Sequence, residues 1–311
     1  MTSSMTSSST DFIQQQEQQQ EQQEEQPILY SILCNKNSHP RDVNILFYEP
    51  THTYTITTDI VSKYTSVTTF IHSHFSHFDA DAIIEKMKKG RNWNSSNKYW
   101  GKTDLEIKDG WVQNANIASG QGTLMHFGIE CFMNQKLEEE EEDYTHENLL
   151  KIHNKNIQNC TLPINSSVEW NYFIQFIKLF PDFKPYRTEW TIYNEDLKLS
   201  GSIDMVYENP DGSLNIYDWK RAKEIVKTNP FKKYSTTECI DDLPDTNFWH
   251  YSLQLNIYKA LLELKYNKIV KDLYLVKLHP DNKSNTFELY KCANLQKEVG
   301  LLFSTILLKN K

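Results

Sequence analysis

Long apolar runs are missing from this 311-residue chain: nowhere do the roughly 20 consecutive apolar residues of a membrane span occur together. The amino terminus also lacks the apolar core of a secretory signal and the arginines of a transit peptide. The expectation is an intracellular chain of the cytosol, nucleus or an organelle, with no membrane partner. Cysteine is scarce as well. Cys34, Cys131, Cys160, Cys239 and Cys292 are odd in number and widely spaced, with no CxxC pair, which speaks against a zinc or iron–sulfur cluster and for a reduced compartment. Positive charge is in deficit, with 33 Lys and Arg against 41 Asp and Glu and a net charge of −8. That excludes a blanket of positive charge, so any site for an anion must be local.

What is present is enough apolar material for a core. Residues of hydrophobic type make up 39% and aromatics 13%, sufficient for one large or two small domains. Residues 1–27 are Ser, Thr, Gln and Glu with little to bury, and read as a disordered tail. Residues 28–118 read as an N-terminal region with a hairpin over 43–58 and helices, among them one over 78–89. Residues 119–311 read as the main core, interrupted near 137–167 by an acidic, Asn-rich stretch expected as a solvated insertion. The pattern over 104–134 predicts two helices or a bent one, broken around Ser119–Gly122. Helices are further predicted over 168–179, 249–265 and 294–308, and strands in YRTEWTIY, LKLSGSIDMVY, SLNIYDWKRA and KDLYLVKLHP.

The chemistry concentrates in residues 201–225. Two apolar strands flank the turn NPDGS, and a turn centred on Asp211 pairs residues whose numbers sum to 422. Asp204 then faces Asp218, and period two sets Lys220 on the face of Asp218. Both faces of this hairpin are largely apolar, which calls for helices on both sides. Two adjacent carboxylates repel, and a hard divalent cation such as Mg²⁺ neutralises them while leaving positions for water and phosphate. A lysine beside such a site can orient water or balance charge growing on phosphorus. The plainer alternative for the bare D…DxK string is a semi-buried ion pair beside a turn.

Four pieces in order resemble the PD-(D/E)XK nuclease superfamily, in its RecB-like exonuclease branch of the kind found in phages and large DNA viruses. They are GTLMHFGIE (Gly122–Glu130), GSID (Gly201–Asp204), DWK (Asp218–Lys220) and QLNIY (Gln254–Tyr258). The resemblance covers about residues 120–280. It implies an α/β, restriction-endonuclease-like core with a mixed central sheet flanked by helices. It also implies a Mg²⁺- or Mn²⁺-dependent deoxyribonuclease, more an exonuclease than an endonuclease. By the same resemblance Asp204, Asp218, His126 and the backbone carbonyl of Trp219 would hold the metal. Lys220 would position the attacking water, and Gln254 and Tyr258 would brace the lysine or touch DNA phosphate. Glu189 either joins the metal shell or forms a plain salt bridge, and Glu130 shares a helix face with His126. The iron–sulfur staple frequent in the branch has no counterpart here, so no such cluster is expected.

Arg221, Lys223, Lys227, Lys232 and Lys233 follow the lysine strand with a single acid, Glu224, among them. They are the candidate phosphate contacts, with Phe231, Tyr234 and Trp249 available to stack on unpaired bases. No base-reading module is recognisable, so DNA ends or single strands are the expected partner. Two rivals stand beside this reading: a DNA-binding or scaffold module without turnover, and a hydrolase that uses the two carboxylates as acid and base.

Overall fold

The structure, a computed structural model, describes residues 31–138 and 143–309. The expected tail and most of the acidic run lie outside the described residues. The chain begins with a short helix α1 (Ile32–Lys36), a hairpin of β1 (Ile45–Tyr48) and β2 (Thr53–Ile56), and β3 (Thr65–Ser66) leading into α2 (Val67–His72). Ser66 caps α2 by accepting from the Thr69 amide, so strand and helix meet without a loop. Helix α3 spans Ala80–Lys88 and α4 spans Asp104–Met133.

Helix α4 corrects one expectation. Its 30 residues form a single helix through the Ser119–Gly122 segment. Thr103 and Glu106 close a capping box at its start, and no proline interrupts it. Gly120 and Gly122 face open space, so they lower helix propensity without imposing a turn. The helix runs unbroken through residues 118 and 119, where a division between N-terminal region and core was expected.

The stretch expected as a solvated insertion carries α5 (His146–Gln158), whose His146, Leu149 and His153 are buried. Helix α6 (Val168–Leu179) follows, with the predicted bounds. Three strands come next, β4 (Lys184–Asn194), β5 (Leu199–Glu208) and β6 (Leu214–Lys220). Helix α7 (Asn247–Lys265) then crosses to β7 (Val270–Lys277), and β8 (Glu288–Lys291) and α8 (Gln296–Lys309) end the described chain. Strand β8 and the short α1 lie outside the elements expected from the sequence.

The main sheet has six strands, in the order β3, β5, β6, β7, β8, with β4 on the other edge of β5. It is mixed: β4–β5, β5–β6 and β7–β8 are antiparallel, while β3–β5 and β6–β7 are parallel. The predicted register holds, with Val206 opposite Ile216 and Met205 opposite Tyr217. One face packs Val206, Leu214, Ile216 and Leu275 against α2, α7 and α8. The other packs Met205, Tyr207, Tyr217 and Trp219 against α4 and α6. This is a mixed α/β fold with helices on both faces of the sheet. None of the described helices is long and apolar enough to cross a membrane.

The N-terminal hairpin is tied to β4 by Asp42, which accepts from Arg187 Nη1 at 2.7 Å and from Trp190 Nε1 at 3.0 Å. A charge this enclosed is tolerable because it is paired and doubly hydrogen-bonded.

Candidate metal centre and its surroundings

Strand β5 has one edge filled along its length by β4, and its other edge is shared. On that second edge β3 pairs at Leu199 and Ser200, and β6 pairs from Met205 onward. Residues 201–204 therefore lie in a fork between two neighbouring strands. Asp204 sits at the fork, and β6 turns from β5 to β7 at the same level, where Asp218, Trp219 and Lys220 pair with Leu275, Val276 and Lys277.

A second irregularity coincides with the fork. Thr188 and Met205 face α4, the former through a hydrogen bond from Asn134 and the latter in the core beneath that helix. Their neighbours two residues along, Trp190 and Ile203, belong to the opposite core against α7. Both strands thus exchange faces at the level of Glu189 and Asp204. Glu189 has φ +42°, a left-handed conformation that costs energy for a non-glycine residue and clusters at functional sites. The exchange takes the two carboxylates out of the apolar layers and turns them to the fork.

There they meet His126 of α4. His126 Nδ1 lies 3.6 Å from both Glu189 Oε1 and Asp204 Oδ2. One ligand atom from each of the three lies within 4.8 Å of the others, the one such group among the described residues. The other imidazole nitrogen, Nε2, is 2.9 Å from the carbonyl oxygen of Trp219, and the Trp219 amide donates to Asp204 Oδ2 at 3.0 Å. Ser202 Oγ donates to Glu189 Oε2 at 3.1 Å. Burial opposes charge on His126, yet the Asp204 and Glu189 carboxylates outweigh it and raise the imidazole to about 9. Burial raises the Asp204 carboxyl, with His126 opposing and Glu189 adding to the rise. A half-buried pocket with this balance favours a cation. The donor set of two carboxylates and one imidazole fits Mg²⁺ or, with its nitrogen, Mn²⁺, whereas the Trp219 carbonyl, expected as a ligand, lies at the opposite ring nitrogen and orients the imidazole instead.

Asp218 stands outside that group of three. It is 2% exposed and its Oδ2 lies 2.7 Å from Lys220 Nζ, without a well-aligned hydrogen-bond donor to that oxygen. Burial, then the Asp204 charge, pushes its carboxyl up. Burial disfavours the Lys220 ammonium, but Asp218 and Asp204 more than compensate and hold it charged. The ammonium also lies 4.4 Å from the ring centroid of Tyr251 on α7, a cation–π contact with no signal in the sequence.

Gln254 and Tyr258 do not reach the lysine. Gln254 Nε2 donates to Tyr258 Oη at 3.1 Å, and the Tyr258 ring lies against Gly201, where an added Cβ would come within 2.6 Å of Cε1. The pair braces the glycine of GSID and so fixes the strand that carries Asp204. Glu130 sits one helical turn from His126. Burial, then the charges of Glu189 and Glu49, raise it to about 7, and it stays outside the group of three. Tyr54 of β2, a residue the sequence did not single out, has its phenol pushed up by burial and by the charges of Glu189 and Asp204. The N-terminal hairpin therefore closes one side of the centre.

Of the basic residues after β6, Arg221 is committed to Glu169 of α6 at 2.6 Å. Lys223, Lys227, Lys232 and Lys233 are exposed. Lys227 lies 4.4 Å from the Phe248 ring centroid, and Lys223 is 3.8 Å from Asp281. Comparison with protein-family models returns no match, and comparison with curated proteins returns none.

Proposed function

We propose that the chain is a metal-dependent nuclease that hydrolyses DNA phosphodiester bonds, with a restriction-endonuclease-like core of the PD-(D/E)XK type and an exonuclease mode on ends or single strands. The observation that carries this reading is the meeting of His126, Glu189 and Asp204 at the sheet fork, one strand from the Asp218–Lys220 pair. His126 Nδ1, Glu189 and Asp204 would hold Mg²⁺ or Mn²⁺, with the Trp219 carbonyl at Nε2 orienting the ring. Bound there, the cation supplies Lewis acidity toward a phosphoryl oxygen and acidifies water.

The remaining work falls to the chain's own groups. Lys220 is a fixed positive charge facing the position where negative charge develops on the phosphoryl oxygens. Asp218 and the Tyr251 ring hold that ammonium in place. The Trp219 amide orients the Asp204 carboxylate, and Ser202 orients Glu189. Lys223, Lys227, Lys232 and Lys233 supply local positive charge against phosphate on a chain that is acidic overall.

The test is incubation of end-labelled single- and double-stranded DNA with the protein in Mg²⁺, Mn²⁺ or EDTA, with Lys220→Ala and Asp204→Asn in parallel. Metal-dependent shortening that both substitutions remove is the expected result. Binding without cleavage under every metal would instead identify a silent binding module.

A further inference from the structure

The largest excess of positive charge in the chain lies outside the candidate centre. Residues 86–102, KMKKGRNWNSSNKYWGK, hold six cations, three aromatics and no acid, in a chain whose net charge is −8. The stretch covers the end of α3 and the connection to α4. Lys88 is paired with Asp104 and Lys89 with Glu85. Among the described residues no carboxylate comes within the 4.0 Å ion-pair distance of Lys86, Arg91, Lys98 or Lys102.

The aromatics are not spent on the core. Trp100 is 49% exposed, and its ring centroid is 5.6 Å from that of Trp93. Large rings held at the surface among unpaired cations are the usual platform for unpaired bases, whose faces stack while their phosphates meet ammonium and guanidinium groups. A merely solvated lysine-rich connection has no use for an exposed tryptophan set beside a second, half-buried one.

The stretch also meets the loop that follows β6. Lys86 Nζ lies 5.1 Å from the ring centroid of Phe231, which is 70% exposed in the loop after β6. The same loop contributes Lys223 and Lys227 to a cavity of about 440 Å³ of mixed charge, where Lys277 and Lys283 stand beside Glu224, Asp281 and Glu288 and Lys277 is paired with Glu288. The contact of Lys86 with Phe231 therefore brings the stretch to the loop that follows the Lys220 strand.

We propose that the α3–α4 connection is a binding surface for single-stranded nucleic acid, which it grips by phosphate contacts from Lys86, Arg91, Lys98 and Lys102 and by stacking on Trp93 and Trp100. The assignment of that strand as the one being cut rests on the nuclease reading.

Fluorescence anisotropy with a labelled oligodeoxythymidylate of about 20 nucleotides, longer than the roughly 4–16 nucleotides that a single-strand binding fold covers, measures this without turnover when metal is withheld by EDTA. A duplex of equal length is the comparison probe. Arg91→Glu with Lys98→Glu should weaken single-strand binding at least tenfold, and should reduce the salt slope by about 1.4, at about 0.7 per phosphate contact. Trp93→Ala with Trp100→Ala should remove the preference for single strand over duplex. Lys178→Glu with Lys297→Glu changes net charge equally and should bind as the unaltered protein does. Unchanged binding by both test pairs, or equal loss in the control pair, overturns the proposal. Binding that depends on these residues in a protein that cuts no DNA with Mg²⁺ keeps the surface and discards the nuclease. Cleavage with binding indifferent to them does the reverse.

Discussion

Tyr258 packs directly against Gly201. A methyl group at Gly201 would come within 2.6 Å of Tyr258 Cε1 and 3.0 Å of its hydroxyl oxygen. Neither partner has freedom to yield, since the ring is buried and its hydroxyl accepts from Gln254. Gly201→Ala should therefore destabilise the fold by about 1–3 kcal/mol, the range for overpacking a tight core. A double-mutant cycle with Tyr258→Ala should show the two changes costing less together than their sum. Additive losses in urea unfolding would mean that the ring is not what excludes a side chain at this position.

Metal binding should stabilise the protein before any substrate is added. Mn²⁺ at 100 times its dissociation constant adds about 2.7 kcal/mol to the folded state, visible as a rise in Tm. Asp204→Asn and His126→Ala should abolish that rise, and Glu189→Gln should reduce it. If Glu189→Gln left the rise intact while Asp218→Asn removed it, the cation would belong to the Asp204–Asp218 pair instead.

Lys220→Ala should separate binding of metal from turnover. The ammonium touches Asp218 and the Tyr251 ring but none of His126, Glu189 or Asp204 within ion-pair or hydrogen-bond distance. Its removal should leave the Mn²⁺ shift in place and lower the cleavage rate by about 10²–10³, the usual effect of deleting one preorganised electrostatic donor. Equal cleavage rates in the two proteins would remove Lys220 from the chemistry.

Much of this arrangement is legible in the sequence, because local rules decide it. The NPDGS turn fixes the β5–β6 register, and the apolar faces on both sides of those strands call for the helices that cover them. Other parts depend on contacts that no local pattern encodes. Nothing in GTLMHFGIE indicates that His126 meets Glu189 as closely as Asp204, because that depends on β4 and β5 exchanging faces together. Asp218 reads as the equal of Asp204, yet the fork turns it toward Lys220. Arg221 reads as a phosphate contact until α6 brings Glu169 beside it. The glycines near Ser119 read as a break, although they only line the exposed side of a helix.

Acid should expose the cost of one buried histidine. His146 is fully enclosed, with Nε2 2.9 Å from the Tyr207 hydroxyl, and burial lowers it from 6.5 to about 3. The unfolded chain takes up a proton here that the folded chain refuses, so this contribution to stability is complete above about pH 6.5 and falls as pH drops toward 3. The loss approaches about 1.4 kcal/mol per pH unit below 6.5. His146→Gln does not titrate, and its unfolding free energy should decline less steeply between pH 6.5 and 4. Parallel pH profiles for the two proteins would show that the ring takes up its proton in the folded chain as readily as in the unfolded one.

The candidate centre draws on α4, β4, β5, β6 and α7, spaced from His126 to Tyr258. During synthesis the histidine helix is complete long before the strands that carry its carboxylate neighbours exist. The brace on Gly201 comes later still. No amino-terminal fragment ending before Glu189 can bring the three side chains of this centre together, and none ending before Lys220 can carry the lysine. The centre is assembled only once all five elements have been made, and a product that stops short of them lacks it.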